Sequence, residues 1–462
     1  MFRITCVTYN VAAQVPPESL SVNTFERLFY EKGTDKWPDP EIVSIGLQEV
    51  TMAPVRLLAD NFTDVEPWTK LLRRTLSSKG YVHLTLHWAD RPKSFGTTLL
   101  VFVKKELLGV IHRVDVKLVK TGFYGYTGNK GAVGLCLKLW DNTRISLVNT
   151  HLSPHNDRLP VRIQEYKTIL QNMNFADDSR TRISDDYVFW TGDFNFRVDF
   201  YSIDEAIGLA SDGKLESLKR LQGHDQLLRC RKALEAFHEF EEGEILFKPT
   251  YRYKINSSDY DNLRIPSWCD RVLWRVSEVP GVPKGRPVGL LDCKLVSYDS
   301  HDALACSDHK PVVAHFDINI SQKATIKRWC VEFLLKPQEV WLFDQQNLCR
   351  YYATDGSGFQ YGAFDWVALY KIDFVSDIDD IQTWVYNMTS WDTLDFPNEN
   401  GASEAAVKVT VQNVMFQRQY IPVPGIYRLG YYSRERKCLV GLSNPFEIVS
   451  SNVDSALEMN EN

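Results

Sequence analysis

The stretch from Asp185 to Asp199, DDYVFWTGDFNFRVD, constrains this chain more than any other. Tyr187, Val188, Phe189 and Trp190 form a short apolar run of strongly β-prone residues. That pattern predicts a buried strand ending at Thr191, with Gly192 permitting a sharp exit. Beyond the glycine, Asp193 and Asn195 alternate with Phe194 and Phe196. In extended backbone alternate side chains share a face, so the carboxylate and the amide are expected to project together while the two rings anchor the segment from behind. A carboxylate beside an amide can position a water and accept its proton. A simple Gly-Asp turn is the competing reading of the same letters, and the other stretches decide between the two.

At 462 residues the chain has room for two or three domains. A net charge of −6 argues against a general nucleic-acid binder, while leaving room for a local basic site. The cysteines number 9, an odd count with no CxxC pair, which disfavours both a zinc ribbon and a disulfide framework. The chain opens on strand-like Phe2–Val7 rather than a signal peptide, has no apolar run long enough to span a bilayer, and ends in no prenylation box. These features together predict a cytosolic, reduced protein.

Several further strands are expected to end in functional groups. Phe2–Val7 runs into Thr8-Tyr9-Asn10, and Ile42–Gln48 runs into Glu49. Two strand ends carrying oxygen donors suit a hard cation such as magnesium, which takes few protein oxygens plus water and substrate phosphate. Thr121–Gly131 reads as a glycine-rich loop holding Asn129 and Lys130; it lacks P-loop spacing, but glycines allow close backbone approach to a phosphate. Val133–Leu139 and Ile145–Thr150 read as a hairpin delivering His151, and Arg162–Met173 as a helix packed on the sheet. Ile203–Gly243 has helix-favouring composition. Lys248–Lys254 interleaves bases with aromatics around Tyr251 and Arg252, which suits an anionic ring. Asp270 precedes an apolar strand and is placed to orient a histidine; Asp308-His309 opens another strand. Pro280–Gly289 reads as a loop.

With these residues in view, Phe2 to about Ile318 resembles the catalytic domain of the inositol polyphosphate 5-phosphatases, in the endonuclease/exonuclease/phosphatase superfamily. The two signature stretches stand here as Phe189–Arg197 (FWTGDFNFR) and Pro266–Leu273 (PSWCDRVL). The accompanying motifs follow in order: Thr8–Val11, Gly46–Glu49, Thr127–Gly131, Asn149–Leu152 and Ser307–Pro311. The resemblance implies an α/β fold, a four-layer, two-sheet β-sandwich flanked by helices and deoxyribonuclease-like. It implies Asn10 and Glu49 as magnesium ligands with Asp308 near the metal. Asp193 would activate the attacking water, with Asn195 holding phosphate or water in line. His151 and His309 would bond the scissile phosphate, with Asp270 orienting His309. Asn129, Lys130, Arg197, Tyr251, Arg252, Arg264 and Arg271 fall in its substrate-binding set. The substrates implied are phosphoinositides such as the 4,5-bisphosphate and 3,4,5-trisphosphate, and also soluble inositol polyphosphates. Two positions depart from the pattern: Arg252 stands where a Lys is usual and Asn262 where a later Lys is expected, so the headgroup preference stays open.

After Ile320 short β-rich runs recur at regular spacing without an acid/base cluster, from Val340–Phe343 to Leu439–Ser443. They predict an all-β, immunoglobulin-like sandwich over 326–449. Asp365–Tyr370 together with Tyr431–Ser433 and Asn444–Phe446 resemble the SKICH domain that follows the catalytic domain in two members of the family; the absence of a long Pro-rich region matches the shorter member. That resemblance implies a targeting module that binds protein partners and recruits the enzyme peripherally to endoplasmic reticulum and plasma-membrane ruffles. Residues 450–462 are polar and acidic and are expected to be disordered. A nuclease on the same scaffold would need a basic groove, and a silent scaffold would have no chemical need of the metal and histidine set.

Overall fold

The structure, a computed structural model, describes residues 2–450 except 19, 21, 31–35, 51–66, 85–95, 123–126, 141, 176–184, 278–290, 303, 322–327, 337–339, 355–356, 388–390, 397–406 and 422. The expected loop at 280–289 and the tail after 450 lie outside the described residues. Two compact units emerge: Met1–His83, Trp88–Lys105 and Asp115–Thr325 form one, and Leu84–His87, Glu106–Val114 and Ile326–Asn462 the other.

The first unit carries strands β1 (Phe2–Asn10), β2 (Ile42–Gln48), β3 (Tyr81–His83), β4 (Thr98–Lys104), β5 (Ile111–Gly122, from Asp115 onward), β6 (Thr127–Leu139), β7 (Arg144–His151), β8 (Tyr187–Asp193), β9 (Glu241–Glu242), β10 (Asp270–Val276), β11 (Asp292–Ser300) and β12 (Val312–Asn319). They form two six-stranded sheets, ordered β11-β12-β1-β2-β4-β3 and β5-β6-β7-β8-β10-β9. Central strands such as β2 and β8 are buried along their whole length, which is why they read as near-continuous apolar runs instead of alternating ones. Between the sheets, Phe316 meets Phe189 at 4.8 Å and Trp274 at 5.1 Å. Helices α1 (Val22–Glu26) and α2 (Pro67–Ser77) cover the first sheet, where Trp68, Leu72 and Leu76 join Val7, Ile45 and Leu47 in one core. Helix α3 (Leu159–Asn172) covers the second through Tyr166, Ile169 and Leu170 against Val148 and Trp190. The four-layer sandwich is thus as expected.

The helical stretch after Ile203 comprises α4 (Ile203–Asp212), α5 (Leu215–Gln222) and α6 (Gln226–Lys232). Ser202 and Glu205 close a capping box on α4, and Asp225 caps α6 by accepting from Leu228 N at 2.9 Å. One expectation is corrected. Thr127–Gly131 belongs to β6 and not to a loop. Gly131, at φ 138°, lies so close to β5 that a Cβ there would sit 2.1 Å from Val119 O, so its glycine serves strand packing.

The second unit contains β13 (Val331–Phe333), β14 (Val340–Leu342), β15 (Asn347–Ala353), β16 (Trp366–Lys371), β17 (Ile381–Tyr386), β18 (Trp391–Phe396), β19 (Val407–Phe416), β20 (Gly425–Ser433), β21 (Cys438–Leu442) and β22 (Phe446–Val449). Two sheets, β13-β15-β19-β18 and β14-β22-β20-β16-β17 with β21 on β20, make an all-β, immunoglobulin-like region. Trp341 meets Phe416 at 5.4 Å and Phe446 at 4.9 Å within it. No described helix is long and apolar enough to cross a membrane.

Candidate active site

Strand ends of the two six-stranded sheets meet at one end of the sandwich. Asn10 and Glu49 close β1 and β2, His151 and Asp193 close β7 and β8, and Asp270 opens the antiparallel β10 opposite Asp193. His309 reaches the same place from the segment before β12, through an isolated bridge to Tyr251.

Asp193 is the hub. Its Oδ2 accepts from Asn10 Nδ2 at 2.9 Å and lies 3.4 Å from His151 Nε2 and 4.0 Å from His309 Nε2. Burial pushes its carboxyl above the ordinary range, and the nearby His309 only partly offsets this. His309 Nδ1 donates to Asp270 Oδ2 at 2.9 Å. Burial alone would lower the imidazole pKa, but the Asp270 carboxylate outweighs it and raises the pKa to about 9. His309 is therefore an imidazolium at neutral pH. Thr250 Oγ1 donates to the same Asp270 oxygen at 2.6 Å, and Ser307 Oγ, which accepts from His309 N at 3.1 Å, donates to Asn10 O at 2.6 Å. Neither hydroxyl was singled out by the sequence; Thr250 stands inside the base-and-aromatic run, and Ser307 opens the SDHKP motif.

His151 behaves differently. Lys130 Nζ donates to its Nε2 at 2.6 Å. Burial first, then the Lys130 and His309 charges, hold His151 well below its usual range. His151 is thus a neutral acceptor, and Lys130 carries the charge on that side, although burial lowers the Lys130 ammonium in turn.

Glu49 sits at φ 56°, a left-handed conformation that side chains other than Gly, Asn and Asp rarely take. Ala13 N and Val50 N bond the carbonyls of Glu49 and Gly96 at 2.9 and 3.0 Å and hold the turn. Its Oε1 accepts from Asn10 Nδ2 at 3.2 Å, and its side chain is 46% exposed. The donor chemistry fits a hard divalent cation: the Glu49 and Asp193 carboxylates converge on the Asn10 amide, and the open side of Glu49 leaves room for water and substrate oxygens. Asn10 turns its nitrogen toward the carboxylates and its Oδ1 toward Ala12 N at 2.9 Å, so ligation by its oxygen requires the amide to turn. Atoms of Asp193, Asp270 and His309 also lie within 4.8 Å of one another. There His309 Nδ1 is bonded to Asp270, which orients the ring and leaves its Nε2 facing Asp193.

Three expected site residues, Asn195, Asp308 and Arg271, lie differently from their sequence reading. Asn195 is not extended: at φ 56° it closes a turn in which its N donates to Asp193 Oδ1 at 3.0 Å. Its Nδ2 donates to Leu152 O at 3.0 Å and its Oδ1 accepts from Arg197. Both ends of the amide are committed, so Asn195 shapes the turn and seats Arg197. Phe194 and Phe196 do anchor that turn, on Phe237 at 4.8 and 6.4 Å. Asp308 Oδ2 accepts from Arg252 Nε at 3.0 Å, and Arg252 also pairs with Asp261 at 3.1 Å, so Asp308 is held by a guanidinium and not at Glu49. Arg271 is fully buried and faces away from the cleft, because Asp270 and Arg271 are neighbours on a strand and point to opposite faces. It bonds Asp225 at 3.1 Å and Glu242 at 2.6 and 2.8 Å. Removing one member of such a buried pair strands its partners. Arg271→Ala is expected to lower unfolding free energy by about 3–5 kcal/mol, measurable by urea titration, in place of a simple rise in KM.

Arg197 Nη2 reaches Asn195, its guanidinium stacks 4.3 Å from the Tyr251 ring, and its buried Nη1 has no protein partner among the described residues. It fits an anion contact. Arg264 is exposed and donates to Leu263 O at 3.0 Å. The Asn129 side chain lies outside the described residues.

Residues 7–315 match the model of Endonuclease/Exonuclease/phosphatase family 2, and residues 333–448 match the SKICH domain. The chain is 31% identical to inositol polyphosphate 5-phosphatase K of Mus musculus, over 96% of this chain and 88% of that protein. It is 30% identical to phosphatidylinositol 4,5-bisphosphate 5-phosphatase A of Homo sapiens over 98% of this chain, and spans only 43% of that longer relative. A solved structure of the inositol polyphosphate 5-phosphatase domain of SPsynaptojanin, in complex with inositol (1,4)-bisphosphate and calcium ion, aligns with a TM-score of 0.55 at 27% identity, covering 70% of this chain and 87% of that one.

Proposed function

Since this chain belongs to Endonuclease/Exonuclease/phosphatase family 2 and, within it, to the inositol polyphosphate 5-phosphatases, we propose that it is a magnesium-dependent hydrolase of the 5-phosphate of phosphoinositides. The observation that carries the reading is the convergence on Asp193 of Asn10, His151 and the His309–Asp270 pair, beside Glu49. A divalent cation is the metal of the SPsynaptojanin complex, and the paired carboxylates of Glu49 and Asp193 suit Mg2+.

Glu49 would hold the cation, and Asn10 sets the spacing between the Glu49 and Asp193 carboxylates. When bound, the metal supplies Lewis acidity that neutralises charge on the transferring phosphoryl group and helps the inositol oxygen leave. Asp193, with its raised proton affinity, accepts the proton of the attacking water. The imidazolium of His309 donates to a phosphate oxygen, and Asp270 keeps that ring charged and oriented. Lys130, seated by His151, and Arg197, seated by Asn195, flank the anion. Water attacks phosphorus directly, so no side chain carries the phosphoryl group. Tyr251, Arg252 and Arg264 line the headgroup side. Arg252, already shared between Asp261 and Asp308, brings less free charge there than an unpaired Lys.

This hydrolase occupies residues 1–320. The SKICH region, 326–449, followed by the tail 450–462, recruits it peripherally to membranes, endoplasmic reticulum and plasma-membrane ruffles, through protein partners.

Phosphate release from vesicles carrying phosphatidylinositol 4,5-bisphosphate or 3,4,5-trisphosphate, compared with phosphatidylinositol 4-phosphate and soluble inositol 1,4,5-trisphosphate, tests the function. Release from the 5-phosphorylated compounds alone supports it; release from the 4-phosphate at a similar rate contradicts it. The charge on His309 adds a pH signature. Its folded pKa is raised, so the donor is present below that value and lost as pH climbs through about 9. Asp270→Asn removes the group that raises it. Turnover is expected to drop about 100-fold, and the alkaline limb of kcat/KM to move from about 9 toward the ordinary histidine range.

A further inference from the structure

The layer of side chains immediately beneath the site is polar, which is unusual for the interior of a β-sandwich. Thr8, Gln48 and Asn149 are all completely buried there. Gln48 Nε2 donates to Asn149 Oδ1 at 2.6 Å and to Thr8 Oγ1 at 3.1 Å. Asn149 Nδ2 donates in turn to Leu47 O at 3.0 Å and to Thr98 O at 2.8 Å. Leu47 and Thr98 are the terminal pair of the antiparallel β2–β4 ladder, so an amide from the second sheet bridges the two carbonyls at the end of a ladder in the first. Among the described residues this is a direct side-chain tie between the sheets at the catalytic end.

The positions matter as much as the bonds. Side chains two apart on a strand share a face. Thr8 lies two residues before Asn10 on β1, Asn149 two before His151 on β7, and Gln48 adjoins Glu49 at the end of β2. Gly46 shares the face of Gln48, and a Cβ there would lie 2.5 Å from both Cγ and Oδ1 of Asn149. The clamp therefore fits only because residue 46 has no side chain. Gly46 lies outside the left-handed region, so its role is to admit Asn149 and not to permit a turn. Apolar side chains could close the same gap without burying two primary amides. What the amides add is direction: a bonded network fixes one separation and one register.

We propose that Asn149, admitted by Gly46 and tied to Gln48 and Thr8, is a positioning residue that sets the spacing between the Glu49 side of the site, on the first sheet, and the His151–Asp193 side, on the second. The inference rests on the proposed metal-dependent function and adds to it residues that touch neither metal nor substrate. Changing partners that orient a metal ligand typically lowers metal affinity or activity about 10–100-fold.

Calorimetric titration of the full chain with Mg2+ alone, without substrate, reads the clamp directly. Gly46→Ala and Asn149→Ala are each expected to weaken Mg2+ binding about tenfold or more. Gly46→Ala removes no hydrogen-bonding group and acts only through Asn149, so the double variant is expected to bind no more weakly than Asn149→Ala alone. Leu76→Ala, in the outer helix layer, lowers the unfolding temperature and is expected to bind Mg2+ like wild type. Two results overturn the proposal: single variants that bind Mg2+ like wild type while losing only thermal stability, or effects that add fully in the double variant. A wild-type chain that takes up no Mg2+ overturns the metal reading of the site itself, and the role of the clamp with it.

Discussion

Asp193→Asn is expected to reduce kcat by about 1,000-fold or more while leaving the fold intact. The substitution is nearly isosteric. Asp193 Oδ1 can go on accepting from Asn195 N, so the turn that seats Arg197 survives. What disappears is the capacity to take a proton. The wild-type carboxyl is fully buried and its proton affinity is raised, chiefly by desolvation, which brings a carboxylate closer to the range in which a general base works at neutral pH. An amide has no such capacity. A loss of 1,000-fold corresponds to about 4 kcal/mol in the barrier. Single-turnover kinetics with short-chain phosphatidylinositol 4,5-bisphosphate, alongside thermal unfolding, separate this from misfolding. The expected pattern is unchanged unfolding temperature, nearly unchanged substrate affinity and collapsed chemistry. A variant retaining more than a tenth of wild-type turnover would assign the base to another group.

Removing the metal is the second large effect. Chelation is expected to abolish turnover and Mg2+ to restore it, and Glu49→Gln to shift half-saturation to much higher Mg2+ concentration. The residue's backbone is informative here. A non-glycine residue held in the left-handed region carries about 1–3 kcal/mol of strain. Here Ala13 N holds its own carbonyl and Val50 N that of Gly96. That strain aims the carboxylate outward from the end of β2, half-open to solvent, when an ordinary strand continuation would bury it. Glu49→Gln keeps the size and the backbone and removes the charge. Full activity in a chelator, or a variant with wild-type Mg2+ response, would remove the cation from the mechanism.

Much of this site was legible in the sequence, for one physical reason. Strand ends are readable from apolar runs, and functional groups sat at those ends: Asn10, Glu49, His151, Asp193 and Asp270 are each a first or last residue of a strand or the residue beyond it. Both sheets of the sandwich were likewise carried by long buried runs. What sequence did not give was direction. Arg271 lies one residue from Asp270, yet strand alternation sends it to Asp225 and Glu242, partners 46 and 29 residues away. Asn195 was expected to share a face with Asp193 in extended backbone, but a left-handed turn commits its amide to Leu152 and Arg197. Asp308 neighbours His309 but pairs with Arg252. The Gln48–Asn149 tie was invisible because it depends on the register between two sheets, and on an absent Cβ at Gly46.

The identity of the lipid product tests the central claim most directly. Phosphatidylinositol 4,5-bisphosphate incubated with the full chain and Mg2+, followed by phosphorus NMR of the product, is expected to yield phosphatidylinositol 4-phosphate and inorganic phosphate, with neither formed by Asp193→Asn. Formation of phosphatidylinositol 5-phosphate, or no turnover by a folded chain saturated with Mg2+, would contradict a 5-phosphatase centred on Asp193.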